Sequence, residues 1–177
     1  MTVVLLASDS DSVFAEVDAT LASDDVEVLR VRKGADVLPV VSAKDPDLVL
    51  LDLQIGSMGG IATCLAIRQE EGALRLRERA VALLLDRHAD VFLAGEARAD
   101  GWMIKPIDSL RLRRMAKQLL AGDSYFEGLP RSTDDESIDD EPAEDSTTDD
   151  SGAGGEAAPD DTDTPTDAGA EAAVADA

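Results

Sequence analysis

Residues 45–60 read Asp45-Pro-Asp-Leu-Val-Leu-Leu-Asp52-Leu-Gln-Ile-Gly-Ser-Met-Gly-Gly60, and this stretch decides the fold. Four consecutive apolar residues, 48–51, follow a proline-containing turn and end at an acidic residue, Asp52. A short, continuous apolar run bounded by turn residues predicts a strand that is buried on both faces. Buried strands of this kind are typical of parallel sheets covered by helices.

Four further apolar runs lie at residues 3–7, 26–31, 81–85 and 102–104. The segments between the five runs carry apolar residues at helical spacing, as Val13, Val17 and Leu21 do at i, i+4 and i+8. Strand and helix thus alternate five times before residue 122, which predicts a five-stranded, parallel, doubly wound α/β sheet. No glycine-rich phosphate loop follows the first strand, and this disfavours a dinucleotide-binding fold.

Acidic residues are concentrated in the last third of the chain. Residues 123–177 contain 19 acidic residues and one basic residue, whereas residues 1–122 contain 19 acidic and 15 basic ones. From Ser132 onward there are almost no large apolar side chains, so the segment lacks the surface that would offset its ordering entropy. We therefore predict a folded domain over residues 1–122 and a disordered acidic tail over residues 123–177.

The composition also disfavours several classes of function. A formal net charge of −22 opposes direct binding to nucleic acid and to anionic membrane surfaces. The single cysteine, Cys64, excludes an intramolecular disulfide, and the N-terminal apolar run lacks a basic flank and is too short for a signal peptide or membrane span. We predict a cytoplasmic protein.

Polar residues end four of the five predicted strands. Ser8-Asp9 follow the first strand, Asp52 the third, Asp86 the fourth and Lys105-Pro106 the fifth. Because the carboxyl ends of parallel strands share one edge of the sheet, we expect three carboxylates and one lysine to meet there. A carboxylate nucleophile beside a Mg²⁺ site and a lysine is the arrangement needed to form an aspartyl phosphate.

Three segments, residues 3–11, 45–60 and 99–106, resemble the CheY-like receiver family of two-component response regulators, and the resemblance runs from about residue 3 to 120. It implies a flavodoxin-like fold in which Asp52 accepts the phosphoryl group and Mg²⁺ is the cofactor. The implied metal ligands are Asp9, Asp52 and the backbone carbonyl of Gln54. Lys105 matches the phosphate-sensing lysine, and Trp102 falls where the family often has an aromatic switch residue.

Three positions depart from the family pattern. Ser8 stands where a second acidic residue is usual, and Gly56 replaces a frequent proline. Asp86 stands where the family has Ser or Thr, and an ionised carboxylate cannot donate the hydrogen bond that such a hydroxyl gives a phosphoryl group. Asp86 has an alternative interpretation, as the cap of a helix that begins near Arg87.

We therefore expect a receiver that is phosphorylated on Asp52 by a histidine kinase and signals to a downstream protein through its fourth helix, fifth strand and fifth helix. It is expected to be a monomer or weak homodimer, and not an enzyme. The alternative is a pseudo-receiver, a binding module that keeps the fold without switching by phosphate. A phosphoaspartate hydrolase is disfavoured, because position 54 is not a second aspartate and no cap domain is evident.

Overall fold

The computed structural model describes residues 1–128. The strands are β1 (Thr2–Ala7), β2 (Val26–Val31), β3 (Leu48–Asp52), β4 (Ala80–Leu85), β5 (Gly101–Ile104) and β6 (Tyr125–Phe126). The helices are α1 (Asp11–Leu21), α2 (Val37–Lys44), α3 (Gly60–Gly72), α4 (Val91–Glu96) and α5 (Ser109–Leu120). Within residues 1–128, no helix has the length and apolar character needed to cross a bilayer.

All strands pair in parallel in the order β2-β1-β3-β4-β5-β6. The five predicted strands and the doubly wound α/β class are confirmed. The sequence does not predict β6, which lies beyond the boundary expected at Gly122 and extends the sheet by one short strand. Residues 129–177, the rest of the predicted tail, lie outside the described residues, so disorder there stays a prediction.

The two faces of the sheet build separate apolar cores, as strands buried on both sides require. Along β3, Val49 and Leu51 point into one core, and Leu48 and Leu50 point into the other. The first core lies under α2, α3 and α4, and the second lies under α1 and α5. This packing fixes the direction of β3 and therefore the position of Asp52 at its end.

Side-chain caps begin the two helices that share one face of the sheet. Ser10 Oγ accepts a hydrogen bond from the backbone N–H of Val13 at the start of α1. Asp108 Oδ1 accepts one from the N–H of Arg111 at the start of α5. Each cap satisfies an otherwise unpaired backbone donor of the first turn.

A close backbone contact fixes the loop that follows β3. The N–H of Gly34 donates to the carbonyl oxygen of Gly56 at 3.1 Å. A Cβ at position 34 would lie 1.9 Å from the carbonyl oxygen of Met58. Only glycine fits this approach, and the contact holds the β3–α3 loop against the turn after β2.

Candidate functional site

Asp52 ends β3 at the carboxyl edge of the sheet, and only 3% of its surface is exposed. Its Oδ1 accepts hydrogen bonds from Lys105 Nζ at 2.6 Å and from the backbone N–H of Gln54 at 3.2 Å. Its Oδ2 accepts the hydroxyl of Ser8 at 2.8 Å. A buried carboxylate with three donors is held in one orientation, and its charge is compensated by the ammonium.

Lys105 joins Asp52 to Asp86. Its Nζ donates to Asp86 Oδ1 at 3.0 Å as well as to Asp52. Burial alone would lower the pKa of Lys105, but the hydrogen bonds to Asp52 and Asp86 outweigh it and raise the pKa above the ordinary lysine value. Lys105 therefore stays charged over the physiological range and neutralises part of the charge of both carboxylates.

Asp86 lies in this pocket and does not cap the following helical turn. The residue at the cap position of that turn is Arg87, which makes no side-chain cap hydrogen bond. About a third of the Asp86 side chain is exposed, against 4% for Asp52. The alternative of a helix cap is therefore not what the structure shows, and the lysine is the described partner of Asp86.

Ser8 has a contact that the sequence does not reveal. Its side chain is fully buried, and its Oγ donates to Asp52 Oδ2 while accepting the N–H of Ser10 at 3.2 Å. A carboxylate oxygen accepts about two hydrogen bonds. Among the described contacts, Oδ1 of Asp52 accepts two hydrogen bonds and Oδ2 accepts one, so Oδ2 can accept one more.

Asp9 and Gln54 lie near Asp52 on the loops that follow β1 and β3, and both are exposed. A Cβ placed on Gly56 would lie 3.5 Å from Asp9 Oδ2, so the Asp9 carboxylate lies over the β3–α3 loop. Two carboxylates and a backbone carbonyl are the hard oxygen donors that Mg²⁺ prefers, with waters completing its shell. Within residues 1–128 no cluster of three or more acidic, His or Cys side chains is arranged for a metal.

Two arginines, Arg30 in β2 and Arg32 just after its end, hold the loop that carries Asp9, and sequence reasoning missed them. Arg30 Nε donates to the Ser8 carbonyl at 3.0 Å, and Arg32 Nη1 donates to the Asp9 carbonyl at 3.4 Å. Both also donate to Asp11 Oδ1 at 2.7 Å, and these hydrogen bonds lower the pKa of Asp11. These contacts join segments that are distant in sequence, so no local spacing predicts them.

Trp102 is buried in β5, three residues before Lys105, and 4% exposed. Its indole Nε1 donates to the carbonyl oxygen of Glu127 at 2.8 Å, and its ring lies against Phe126. The polar contact of Trp102 is therefore with the segment around β6, and its predicted switch role stays a prediction. Lys105 and Pro106 are joined by a cis peptide bond.

The sequence of the folded domain matches a known protein family. Residues 4–117 match the family model of the response regulator receiver domain, which is more than half of the 177-residue chain. The chain belongs to the response-regulator receiver family. Receiver domains are the signalling modules of two-component systems, and they interact with histidine kinases and effectors. They generally bind Mg²⁺ at the acidic phosphorylation site.

Among curated relatives, the transcriptional regulatory protein CseB of Streptomyces avermitilis is 30% identical over 148 residues, which are 82% of this chain and 57% of that protein. The chain spans about half the length, or less, of the first curated relatives that it matches. Two solved structures show the likeness in three dimensions. The receiver domain of a histidine kinase from Syntrophus aciditrophicus is 28% identical with a TM-score of 0.61, covering 69% of this chain and 92% of that one.

The second structure, chemotaxis protein CheY4 of Vibrio cholerae, has a TM-score of 0.60 and covers 67% of this chain and 98% of that chain. At 21% identity this likeness shows the fold alone. The receiver family and the CheY-like fold implied by the sequence are thus confirmed. The individual roles of Asp9, Asp52, Gln54 and Lys105 stay predictions, although the fold brings Lys105 into direct contact with both Asp52 and Asp86.

Proposed function

We propose that this receiver accepts a phosphoryl group on the Asp52 carboxylate from the phosphohistidine of a histidine kinase. A carboxylate oxygen of Asp52 attacks phosphorus, the P–N bond breaks, and the histidine nitrogen keeps the electron pair and takes up a proton. The observation that carries this proposal is the 2.6 Å hydrogen bond from Lys105 Nζ to Asp52 Oδ1 at the carboxyl end of β3. It puts a cation beside the nucleophile, close to where the phosphoryl charge develops.

The chain's own residues divide the work in this proposal. Lys105 orients Asp52 in the free protein and turns to a phosphoryl oxygen once the group is attached. Gln54 N–H and Ser8 Oγ keep the carboxylate oriented while Lys105 moves. Asp9, Asp52 and the Gln54 carbonyl would hold Mg²⁺, which neutralises phosphoryl charge when it is bound.

The second candidate is the pseudo-receiver, and Asp86 is the observation that favours it. The Asp86 carboxylate occupies a hydrogen bond of Lys105, and it has no proton to donate to a phosphoryl oxygen. Its negative charge also opposes an incoming phosphoryl group. In this candidate the Asp52–Lys105–Asp86 contacts stabilise one state of the fold, and a partner binds that state without phosphotransfer.

We place the protein in the cytoplasm as a non-enzymatic signalling module, a monomer or weak homodimer, whose partners are a kinase and an effector protein. The single cysteine, Cys64, is buried and free, and it makes no demand for an oxidising compartment. The net charge of −22 favours protein partners over nucleic acid or anionic membranes.

One experiment separates the two candidates. The full chain, with Mg²⁺, is incubated with acetyl phosphate, and base-labile phosphoryl adducts are quantified by intact-mass spectrometry for wild type, Asp52→Asn and Asp86→Thr. An adduct on wild type that Asp52→Asn lacks supports phosphorylation. An adduct on Asp86→Thr alone supports the pseudo-receiver, and no adduct on either protein overturns the phosphorylation proposal.

A further inference from the structure

Residues 125–128, here called the edge segment, add a short parallel strand to the open side of β5. Tyr125 pairs with Gly101 and Phe126 with Trp102. The N–H of Tyr125 donates to the Asp100 carbonyl at 3.2 Å. The N–H of Glu127 donates to the Trp102 carbonyl at 3.3 Å. A strand edge with unpaired N–H and C=O groups is a template for pairing with an extended chain, and here the chain itself fills it.

An aromatic contact supports this pairing. The rings of Trp102 and Phe126 lie 4.4 Å apart between centroids, with an interplanar angle of 35°. Trp102 is almost fully buried, whereas 44% of Phe126 is exposed. Phe126 therefore covers the indole from the solvent side.

Glu127 provides a charged anchor next to the aromatic residue. Its Oε2 accepts a hydrogen bond from the backbone N–H of Ile104 at 2.9 Å. In a longer β6, the backbone carbonyl of a further residue would accept this N–H instead. Its Oε1 is paired with the guanidinium of Arg111, which also donates to the Pro106 carbonyl at 2.6 Å. A carboxylate is thus held by one edge N–H and one arginine, a charge-assisted arrangement stronger than a neutral hydrogen bond.

The edge segment ends in close contact with the turn before α4. Gly128 has a φ of +80°, and a Cβ there would lie 2.6 Å from Nε2 of His88. Beyond that turn, α4 exposes Phe92 and Leu93, whose surfaces are 72% and 48% accessible.

We propose that the β5 edge is a binding site for an extended segment of a partner protein in which an aromatic residue is directly followed by glutamate. Residues 125–128 occupy this site in the structure as an intramolecular competitor. The pairing covers only two residues of β5, so the edge segment depends on Phe126 and Glu127 and on its covalent tether rather than on a long ladder. This proposal does not depend on phosphorylation of Asp52.

Trp102 allows the proposal to be tested in the full chain, because it is the only tryptophan. The probe is a fluorescently labelled, N-acetylated peptide with the sequence of residues 123–128, Asp-Ser-Tyr-Phe-Glu-Gly. Fluorescence anisotropy measures its binding to the protein. In the double variant Phe126→Ala/Glu127→Ala the edge is freed, Trp102 emission shifts to the red, and the peptide binds at least about tenfold more tightly than to wild type. Asp123→Ala, in the same stretch but with no described side-chain contact, behaves as wild type.

Two further arms test the chemistry of recognition. Adding Arg111→Ala to the double variant, or replacing the peptide's glutamate by glutamine, weakens binding about tenfold. Far-ultraviolet circular dichroism checks that each variant keeps its fold. The proposal is overturned if the freed variant binds the peptide no better than wild type, if the glutamine peptide binds equally well, or if Trp102 emission stays unchanged in the double variant.

Discussion

Ser8 Oγ donates a hydrogen bond of 2.8 Å to Asp52 Oδ2, so a neutral hydroxyl contacts the phosphoacceptor candidate where receivers usually have an acidic residue. Serine in place of an acidic residue at position 8 removes one negative charge from the surroundings of Asp52. It also gives Asp52 a donor that does not depend on a bound metal. We infer that the pocket is organised in the metal-free protein at some cost in metal affinity.

The substitution Ser8→Asp tests this inference. The new carboxylate adds a ligand for Mg²⁺, and we expect the affinity for Mg²⁺ to rise roughly ten- to hundredfold. Without Mg²⁺ the variant should be less stable than wild type, because two carboxylates then lie together in a buried site. Isothermal titration with Mg²⁺ and thermal unfolding with and without the ion measure both effects.

The matched control is Ser10→Asp. Ser10 caps α1, and aspartate is an equally good cap, so this change adds the same charge nearby without touching Asp52. It should leave the Mg²⁺ affinity within about twofold of wild type, because solvent and salt screen a charge that does not contact the ion. Equal gains for both variants would show that net charge, rather than the position next to Asp52, controls the affinity.

Lys105→Met removes the cation shared by Asp52 and Asp86. The variant should lose about 1–3 kcal/mol of unfolding free energy at pH 7, because Asp52 is left buried without its charged donor. The folded-state pKa of Lys105 is raised above 10.5, so its stabilising contribution is complete below that pH and is lost as the pH rises further. The difference between wild type and variant should therefore be constant from pH 7 to 9 and shrink above about pH 10.5.

Urea denaturation across this pH range measures that difference. Lys44→Met is the control, because Lys44 is an exposed lysine at the end of α2. It should change the unfolding free energy by no more than about 0.5 kcal/mol. A Lys105→Met penalty that persists unchanged at the highest pH would contradict the ion-pair explanation.

Most strands of the fold can be predicted from local sequence, but β6 cannot. The run 48–51 predicts β3 because a short, unbroken apolar stretch bounded by turn residues is typical of a strand buried between two helix layers. Strand β6 escapes prediction because Tyr125 and Phe126 are too few to show a period, and their pairing depends on Trp102 and Arg111, which are distant in sequence.

The candidate site also has parts that the sequence predicts and parts that it does not. Parallel strand ends share an edge, which is why Asp52, Asp86 and Lys105 could be expected together before any distance was known. The direction of the Ser8 hydroxyl and the hold of Arg30 and Arg32 on the Asp9 loop depend on side-chain geometry across β1 and β2. No spacing rule within one segment contains that information.

Gly34→Ala tests whether the turn after β2 supports the β3–α3 loop. The added Cβ would overlap the Met58 carbonyl, and we expect a loss of about 1–3 kcal/mol in unfolding free energy, measured by urea denaturation. Gly95→Ala is the control, since nothing lies within 4 Å of a Cβ there and α4 should gain about 0.5–1 kcal/mol. A neutral Gly34→Ala would show that the loop position does not depend on this contact.

Chemical mapping of the modified residue shows whether Asp52 receives the phosphoryl group. Sodium borohydride reduces an aspartyl phosphate to homoserine, so peptide mass spectrometry after treatment with acetyl phosphate and Mg²⁺ identifies the residue. We expect homoserine at position 52, and none at positions 9 or 86. Homoserine at another aspartate, with Asp52 intact, would contradict this expectation.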